Sequence, residues 1–356
     1  MTNTDLGMRS LRGLWVGDCI GNMGQLYNVF DILKALEKGI QQYAGILPLN
    51  QFQSSDDTEE AIVLYNHIVS QGDKFHPNEP IDLDKLAMEF AVRYMDRDPD
   101  GENFGYGLMT RKVLRSIYEG VPWAEANKTY RIQEGTSSHV DDLVTSIIDK
   151  KSWKEVAKNV GDKLQKEKTE PKNEVKIGSC GNGAAMRVAP LGALLKDYTA
   201  YEVARAASLA ALPTHDHPEG IAGSMAVAAA AWILAKGVTG KDDFLNHVVS
   251  VTPQGEVERG IQKAIRLPFD APLGLAIQML GNGMHVTCQD TVPVCIWMVA
   301  RALEKKQTYQ ELITDTAALG GDVDTTCAIV GGIYGVISDP SAEWMDLCLP
   351  MEGVIE

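Results

Sequence analysis

The 356-residue sequence has no C-x-x-C pair among its 6 cysteines, which stand at 19, 180, 288, 295, 327 and 348. That spacing does not build an extracellular disulfide framework, and reduced thiols in a cytoplasmic protein are the simplest account. Basic residues are also scarce: 33 Lys and Arg stand against 48 Asp and Glu, a formal net charge of -15. Such a chain lacks the basic face that releases counterions, so no nucleic-acid partner is expected. Its field repels anionic ligands at long range, so a phosphate-bearing substrate needs local donors or metal ions. The opening "MTNTDLGMRS" has no apolar segment of the signal-peptide kind. The longest apolar stretch, Gly220 to Ala235, is short for a membrane span, rich in Gly and Ala, and preceded by Asp216, His217 and Glu219. It predicts a buried core helix and no membrane. Strict alternation is rare, so strands should be few, and no repeat of fixed period is visible.

What the sequence has is helical periodicity and 45% hydrophobic residues, enough for a sizeable core. Ala61, Ile62, Tyr65, Ile68 and Val69 share one helix face, as do Leu83, Leu86, Ala87, Phe90 and Tyr94. "TYEVARAASLAAL", "DTVPVCIWMVARALEKK", "QELITDTAAL" and "TTCAIVGGIYGVI" also read as helices, with Pro293 expected in the first turn of its own. The expected architecture is one compact all-α domain spanning residues 1–356, with the Lys- and Glu-dense segment 148–176 as a solvated helix and loop.

Polar, glycine-rich stretches interrupt this pattern, each expected beside a helix start. They are "GLWVGDCIGNMGQ" from Gly13, "SSDDT" from Ser54, "GSCGNGAAMRVAP" from Gly178 with "THDHPEG" soon after, and "GGDVDTTCA" from Gly320. "SSDDT" has two readings. Asp57 could cap the following helix, with Glu60 closing a capping box, or the adjacent carboxylates could hold a hard cation such as Mg²⁺. "GGDVDTT" has the same pair of readings for Asp322 and Asp324. If the two acidic loops converge, they can share a pair of cations, without which their carboxylates would repel one another.

"GSCGNG" has P-loop spacing from Gly178 to Gly183, but Ala184 and Ala185 stand where Lys and Ser or Thr are needed. Nucleoside-triphosphate hydrolysis is therefore not expected. What remains is a turn whose N–H groups could cradle a diphosphate or ribose, or a tight turn that glycine alone makes. His215 and His217 lack further zinc-spaced partners, which leaves hydrogen bonding to substrate or capping of the helix opened by Pro218.

Taken together, "VGDCIG", "SSDDTE", "GSCGNGAAMRVAPLG", "THDHPEGIAGS", "GNGMHVTCQDTVP" and "GGDVDTTCAIVGG" resemble the ADP-ribosylglycohydrolase family from Leu11 to about Ser338. The resemblance implies an all-helical domain with two Mg²⁺, or Mn²⁺, in a central cleft. It implies hydrolysis of the glycosidic bond between ADP-ribose and a modified side chain. It implies metal ligands Ser55, Asp56 and Asp57 from one loop and Asp322, Asp324 and Thr325 from the other, with Asp324 bridging. Ser179, Cys180, Gly181, Asn182, Gly183 and His215 would line the ADP-ribose site. Asp57, with Asp56 and Asp324 beside it, is expected to carry the proton transfer that accompanies attack on an oxocarbenium-like centre.

Two departures bear on function. Gln25 stands where several family members carry a glutamate. Ser55 replaces a common threonine and resembles the arginine-directed branch, pointing to ADP-ribosyl-arginine. The alternative is a weak or inactive protein on the same scaffold that binds ADP-ribose or an ADP-ribosylating toxin. A hydrolase of another N-glycoside or a phosphoester is a third reading.

Overall fold

Backbone meets backbone along the first helix, and that contact organises the site. The computed structural model describes residues 1–26, 52–72, 75–76, 81–100, 104–131 and 178–355. The charged segment 148–176 lies outside these, so its expected helix and loop are not described. In chain order the helices are α1 (Asn3–Leu26), α2 (Asp56–Val69), α3 (Leu83–Arg97), α4 (Leu108–Tyr118), α5 (Trp123–Arg131), α6 (Gly183–Met186), α7 (Ala189–Leu194) and α8 (Ala200–Ala211). There follow α9 (Pro218–Ala235), α10 (Lys241–Val251), α11 (Glu256–Arg266), α12 (Leu273–Leu280), α13 (Cys288–Lys305), α14 (Tyr309–Ala317), α15 (Val323–Gly335) and α16 (Ala342–Met345). Among the described residues there is no strand, only the isolated bridges Phe52 to Cys348 and Gly181 to Thr287.

The glycine-rich stretch from Gly13 to Gln25 is not an interruption, as the sequence reading has it, but the middle and end of the continuous helix α1. Gly13, Gly17 and Gly21 recur every four residues and so form one stripe along it. That stripe presses on α15. A methyl group on Gly13 would lie 2.3 Å from the Gly331 carbonyl oxygen, and one on Gly17 would lie 2.2 Å from that of Cys327. On Gly21 it would meet the Asp324 Cα at 2.5 Å. Any larger side chain would push the helices apart, and with them Asp18 and Asp324.

The centre of the molecule is α9, all 18 of whose residues are buried. It is long and apolar enough to cross a membrane, yet it lies wholly inside the protein. Around it pack α7, α8, α10, α13 and α15. Of the expected face of α2, Ala61, Ile62, Tyr65 and Ile68 are buried and Val69 only partly so, and burial extends beyond that face to Val63, Leu64 and His67; Leu83, Leu86, Ala87, Phe90 and Tyr94 of α3 are buried as expected. Capping boxes Thr199–Glu202 and Thr308–Glu311 start α8 and α14. Pro293 falls in the second turn of α13, not the first, because the helix begins at Cys288. Its ring rests where a side chain on Gly260 of α11 would be, 2.3 Å from that missing methyl.

Candidate active site

The first acidic tip is built by Asp18, buried midway along α1. Its carboxylate accepts from the Ser55 N–H at 2.9 and 3.1 Å, the Thr58 N–H at 3.1 Å and the Thr58 hydroxyl at 2.5 Å. Those donors are the otherwise unsatisfied amides and hydroxyl of a helix start, so Asp18 anchors α2 against α1. The N-cap of α2 is Ser55, whose Oγ accepts from the Asp57 N–H at 3.2 Å. Asp57 is therefore not the cap, and Glu60 closes no capping box. Glu60 instead accepts from Arg187 at 2.7 Å in a buried ion pair. Asp57, freed from capping, takes a hydrogen bond from the Ser55 hydroxyl on Oδ2 at 2.9 Å.

The second tip starts α15. Asp322 is its N-cap residue by position, but its side chain makes no capping hydrogen bond. The Asp322 carboxylate accepts from Asn182 Nδ2 at 2.6 Å. The loop before α13 backs it: the Asp322 N–H donates to the Asn282 carbonyl at 3.2 Å, and a methyl on Gly283 would lie 2.6 Å from the Asp322 Cβ. The two tips meet. Thr325 Oγ1 donates to Asp57 Oδ2 at 3.4 Å, across 268 residues of sequence. Ser55, Asp57 and Thr325 are buried, while Asp56, Asp322 and Asp324 are half-buried.

The turn 179–183 borders the second tip through Asn182, which also donates to Thr291 at 3.1 Å. Gly181 pairs with Thr287, and the Cys288 N–H donates to the Cys180 carbonyl at 3.0 Å. His215 closes the turn from behind. A methyl on Gly183 would lie 2.6 Å from its Cε1, and one on Gly181 would lie 3.2 Å from its Nε2. Only glycine leaves that imidazole edge open. His217 caps α9, accepting from the Glu219 N–H at 3.0 Å, with Pro218 at the first helical position as expected.

The charges are of one sign. Burial, then the carboxylates of Asp18, Asp324, Asp56 and Asp322, push the Asp57 carboxyl well above the usual carboxylate range. Burial, Glu60, Asp324 and Asp18 do the same to Asp56, and burial, Asp322 and Asp18 to Asp324. Asp18 is raised only to about 6, since its hydrogen bonds work against burial. Asp57 Oδ1 is buried with no hydrogen-bond partner. Oxygen donors, unbalanced negative charge and an orphaned buried carboxylate oxygen fit a hard divalent cation. Among the described residues no three His, Cys, Asp or Glu side chains gather closely enough to hold an ion by themselves. Any coordination shell here must draw on the Ser55 and Thr325 hydroxyls and on water as well.

The sequence model of the ADP-ribosylglycohydrolase family matches residues 4–347. The chain belongs to the ADP-ribosylglycohydrolase family. ADP-ribosylhydrolase ARH3 of Homo sapiens is 23% identical over 380 residues, covering 95% of this chain and 87% of that protein. ADP-ribosylhydrolase ARH3 of Mus musculus is 27% identical over 204 residues, 48% of this chain and 53% of that one, so that match spans about half the relative's length. A solved structure, an ADP-ribosylglycohydrolase-related protein complex, aligns with a TM-score of 0.55 at 18% identity, over 98% of this chain and 93% of that one. This last likeness is one of fold.

Within this member of the family, every residue expected at the two acidic tips and the glycine turn falls in the described region, and they lie together. Gln25 is in the last turn of α1, its side chain outside what is described. Two residues had no assigned role in the sequence reading. Asp18 is legible only as part of "VGDCIG"; it follows Gly17 and lies off the stripe of glycines 13, 17 and 21, so the motif itself is the available signal. Arg187, in "GAAMR", gave no signal, because its partners are 127, 23 and 27 residues away.

Proposed function

We propose that this protein is a metal-dependent hydrolase that cleaves the glycosidic bond between ADP-ribose and a modified side chain. Membership of the glycohydrolase family supports the reaction class. The observation that carries the finer reading is the meeting of the two acidic tips beside the glycine turn, joined by the Asn182–Asp322 hydrogen bond. Ser55, Asp56, Asp57, Asp322, Asp324 and Thr325 would hold two Mg²⁺ or Mn²⁺. When bound, these ions supply Lewis acidity and a water of lowered pKa. The turn 179–183 and His215 hold the diphosphate and ribose. Asp57 accepts on Oδ2 from Ser55 and Thr325, which fixes the carboxylate and leaves Oδ1 to serve both as ligand to an ion and as base toward the attacking water. Ser55 favours ADP-ribosyl-arginine as the substrate. Gln25 in the usual glutamate place favours, as second reading, a weak enzyme or inactive binder of ADP-ribose or of an ADP-ribosylating toxin.

The test is release of ADP-ribose from arginine- and serine-ADP-ribosylated protein, with Mg²⁺, with Mn²⁺ and after chelation. Release that needs the ion, and that Asp57→Ala and Asp324→Ala abolish without loss of helical circular dichroism, is the expected result. Binding of ADP-ribose with no release from any linkage would move the assignment to the second reading. Neither release nor binding would remove both.

A further inference from the structure

Arg187 is 1% exposed and lies between the glycine turn and α2. Its Nη1 donates to Glu60 at 2.7 Å, and its Nη2 donates to the Ala210 carbonyl and to Thr214 Oγ1, each at 2.9 Å. Its guanidinium stacks 4.3 Å from the centre of the Phe90 ring. Thr214 Oγ1 is in turn 2.7 Å from His215 Nδ1. Thr214 and His215 are both buried.

The protons in this chain can be assigned from the chemistry of the groups. A guanidinium has donors and no acceptor, so Thr214 Oγ1 must accept from Arg187. A hydroxyl has one proton to give, and the acceptor within reach of this one among the described residues is His215 Nδ1. The hydroxyl proton therefore points at Nδ1, which must be bare. In a neutral imidazole the ring hydrogen is then on Nε2. The opposite tautomer would leave the buried hydroxyl proton without an acceptor, which is disfavoured. The Nε2 edge is the one that faces Gly181 and Gly183. No described residue hydrogen-bonds it.

We infer that Arg187, acting through Thr214, is a positioning residue that fixes His215 as the Nε2–H tautomer, so that the ring donates a hydrogen bond to an oxygen of the ligand in the 179–183 turn. Naming that ligand as ADP-ribose rests on the function proposed above; the tautomer does not. Burial and the Arg187 charge also push the His215 pKa down to about 3. The ring is thus a neutral donor, not a cation or a general base, near neutral pH. Through Glu60 the same guanidinium holds α2, three residues beyond Asp57, so one side chain sets the cradle and steadies the first acidic tip.

The test uses the full chain, ¹⁵N-labelled, with long-range proton–nitrogen correlation spectra of its imidazoles, His215 being assigned by loss of its signals in His215→Gln. The expected pattern is a protonated Nε2 and bare Nδ1, unchanged between about pH 6 and 8, where a group with so depressed a pKa stays neutral. Thr214→Val should abolish the lock, giving a tautomer mixture, and should weaken ADP-ribose binding on the order of tenfold, the worth of one hydrogen bond. In turnover the loss should fall on KM rather than kcat, and Thr214→Ser should restore it. A protonated Nδ1 in the native protein, or a Thr214→Val spectrum with the His215 pattern intact, would overturn the inference. The native spectrum decides it even if the valine variant fails to fold. An overturned tautomer alongside intact ADP-ribose release sinks this inference alone, whereas the expected tautomer without release or binding sinks only the proposed function.

Discussion

Arg187→Met should cost about 3–5 kcal/mol of stability at neutral pH, the usual loss when one partner of a buried ion pair is removed. The size follows from the surroundings. Arg187 and Glu60 are each 1% exposed, and Arg187 donates three hydrogen bonds, to Glu60 of α2 and to Ala210 and Thr214 at and just beyond the end of α8. Methionine keeps much of the contact with Phe90, so the loss reports on polar groups rather than on a cavity. Burial already raises the Glu60 carboxyl above its ordinary value, against the pull of Arg187. Without the guanidinium it rises further, and Glu60 can escape by taking up a proton. A carboxyl raised in the folded state contributes most below its unfolded pKa and loses that contribution as pH rises, so the deficit should shrink as pH falls from about 8 to 5. Removing the stranded charge with Glu60→Gln in the same chain should recover at least about 1.5 kcal/mol. The assay is urea denaturation followed by far-UV circular dichroism on wild type, both single variants and the double variant, at several pH values. A single-variant loss below about 1 kcal/mol, or purely additive losses in the double variant, would refute this reasoning.

Two further outcomes follow from the same packing and electrostatics. Gly17→Ala gains helix propensity but places a methyl 2.2 Å from the Cys327 carbonyl oxygen, which cannot rotate away, so it should lose about 2 kcal/mol net in a urea melt; a variant as stable as wild type would remove the seam from the account. His215, depressed to about 3, contributes stability that is present above its unfolded pKa of about 6.5 and lost as pH falls toward 3. Wild type should therefore lose about 2 kcal/mol more than His215→Gln between pH 7 and 5, and equal losses would show that the ring is not held neutral by burial and Arg187.

The sequence carried the helices whose patterns are local. The faces of α2 and α3 follow from spacing, and the small-residue run of α9 marked it as core. Local pattern failed where a contact across the chain decided the outcome. Glycines 13, 17 and 21 look like loop residues until α15 supplies the surface that needs them. The choice between cap and ligand at "SSDDT" could not be made locally, because Ser55 takes the capping role and Arg187 takes Glu60. Asp322 stands at a cap position, yet Asn182, from 140 residues earlier, is what it binds. Pro293 was displaced by a turn because the helix start at Cys288 is fixed by pairing with the Cys180 carbonyl.

The central claim is that residues 55–57 and 322–325 form one cation site. Titration of the chelator-treated protein with Mn²⁺, read by calorimetry and electron paramagnetic resonance, addresses it directly. Two ions per chain are predicted, with Asp57→Asn and Asp324→Asn, one from each tip, each disrupting the same coupled pair. Undiminished binding in either variant, or two variants that each remove a separate and independent ion, would contradict the account.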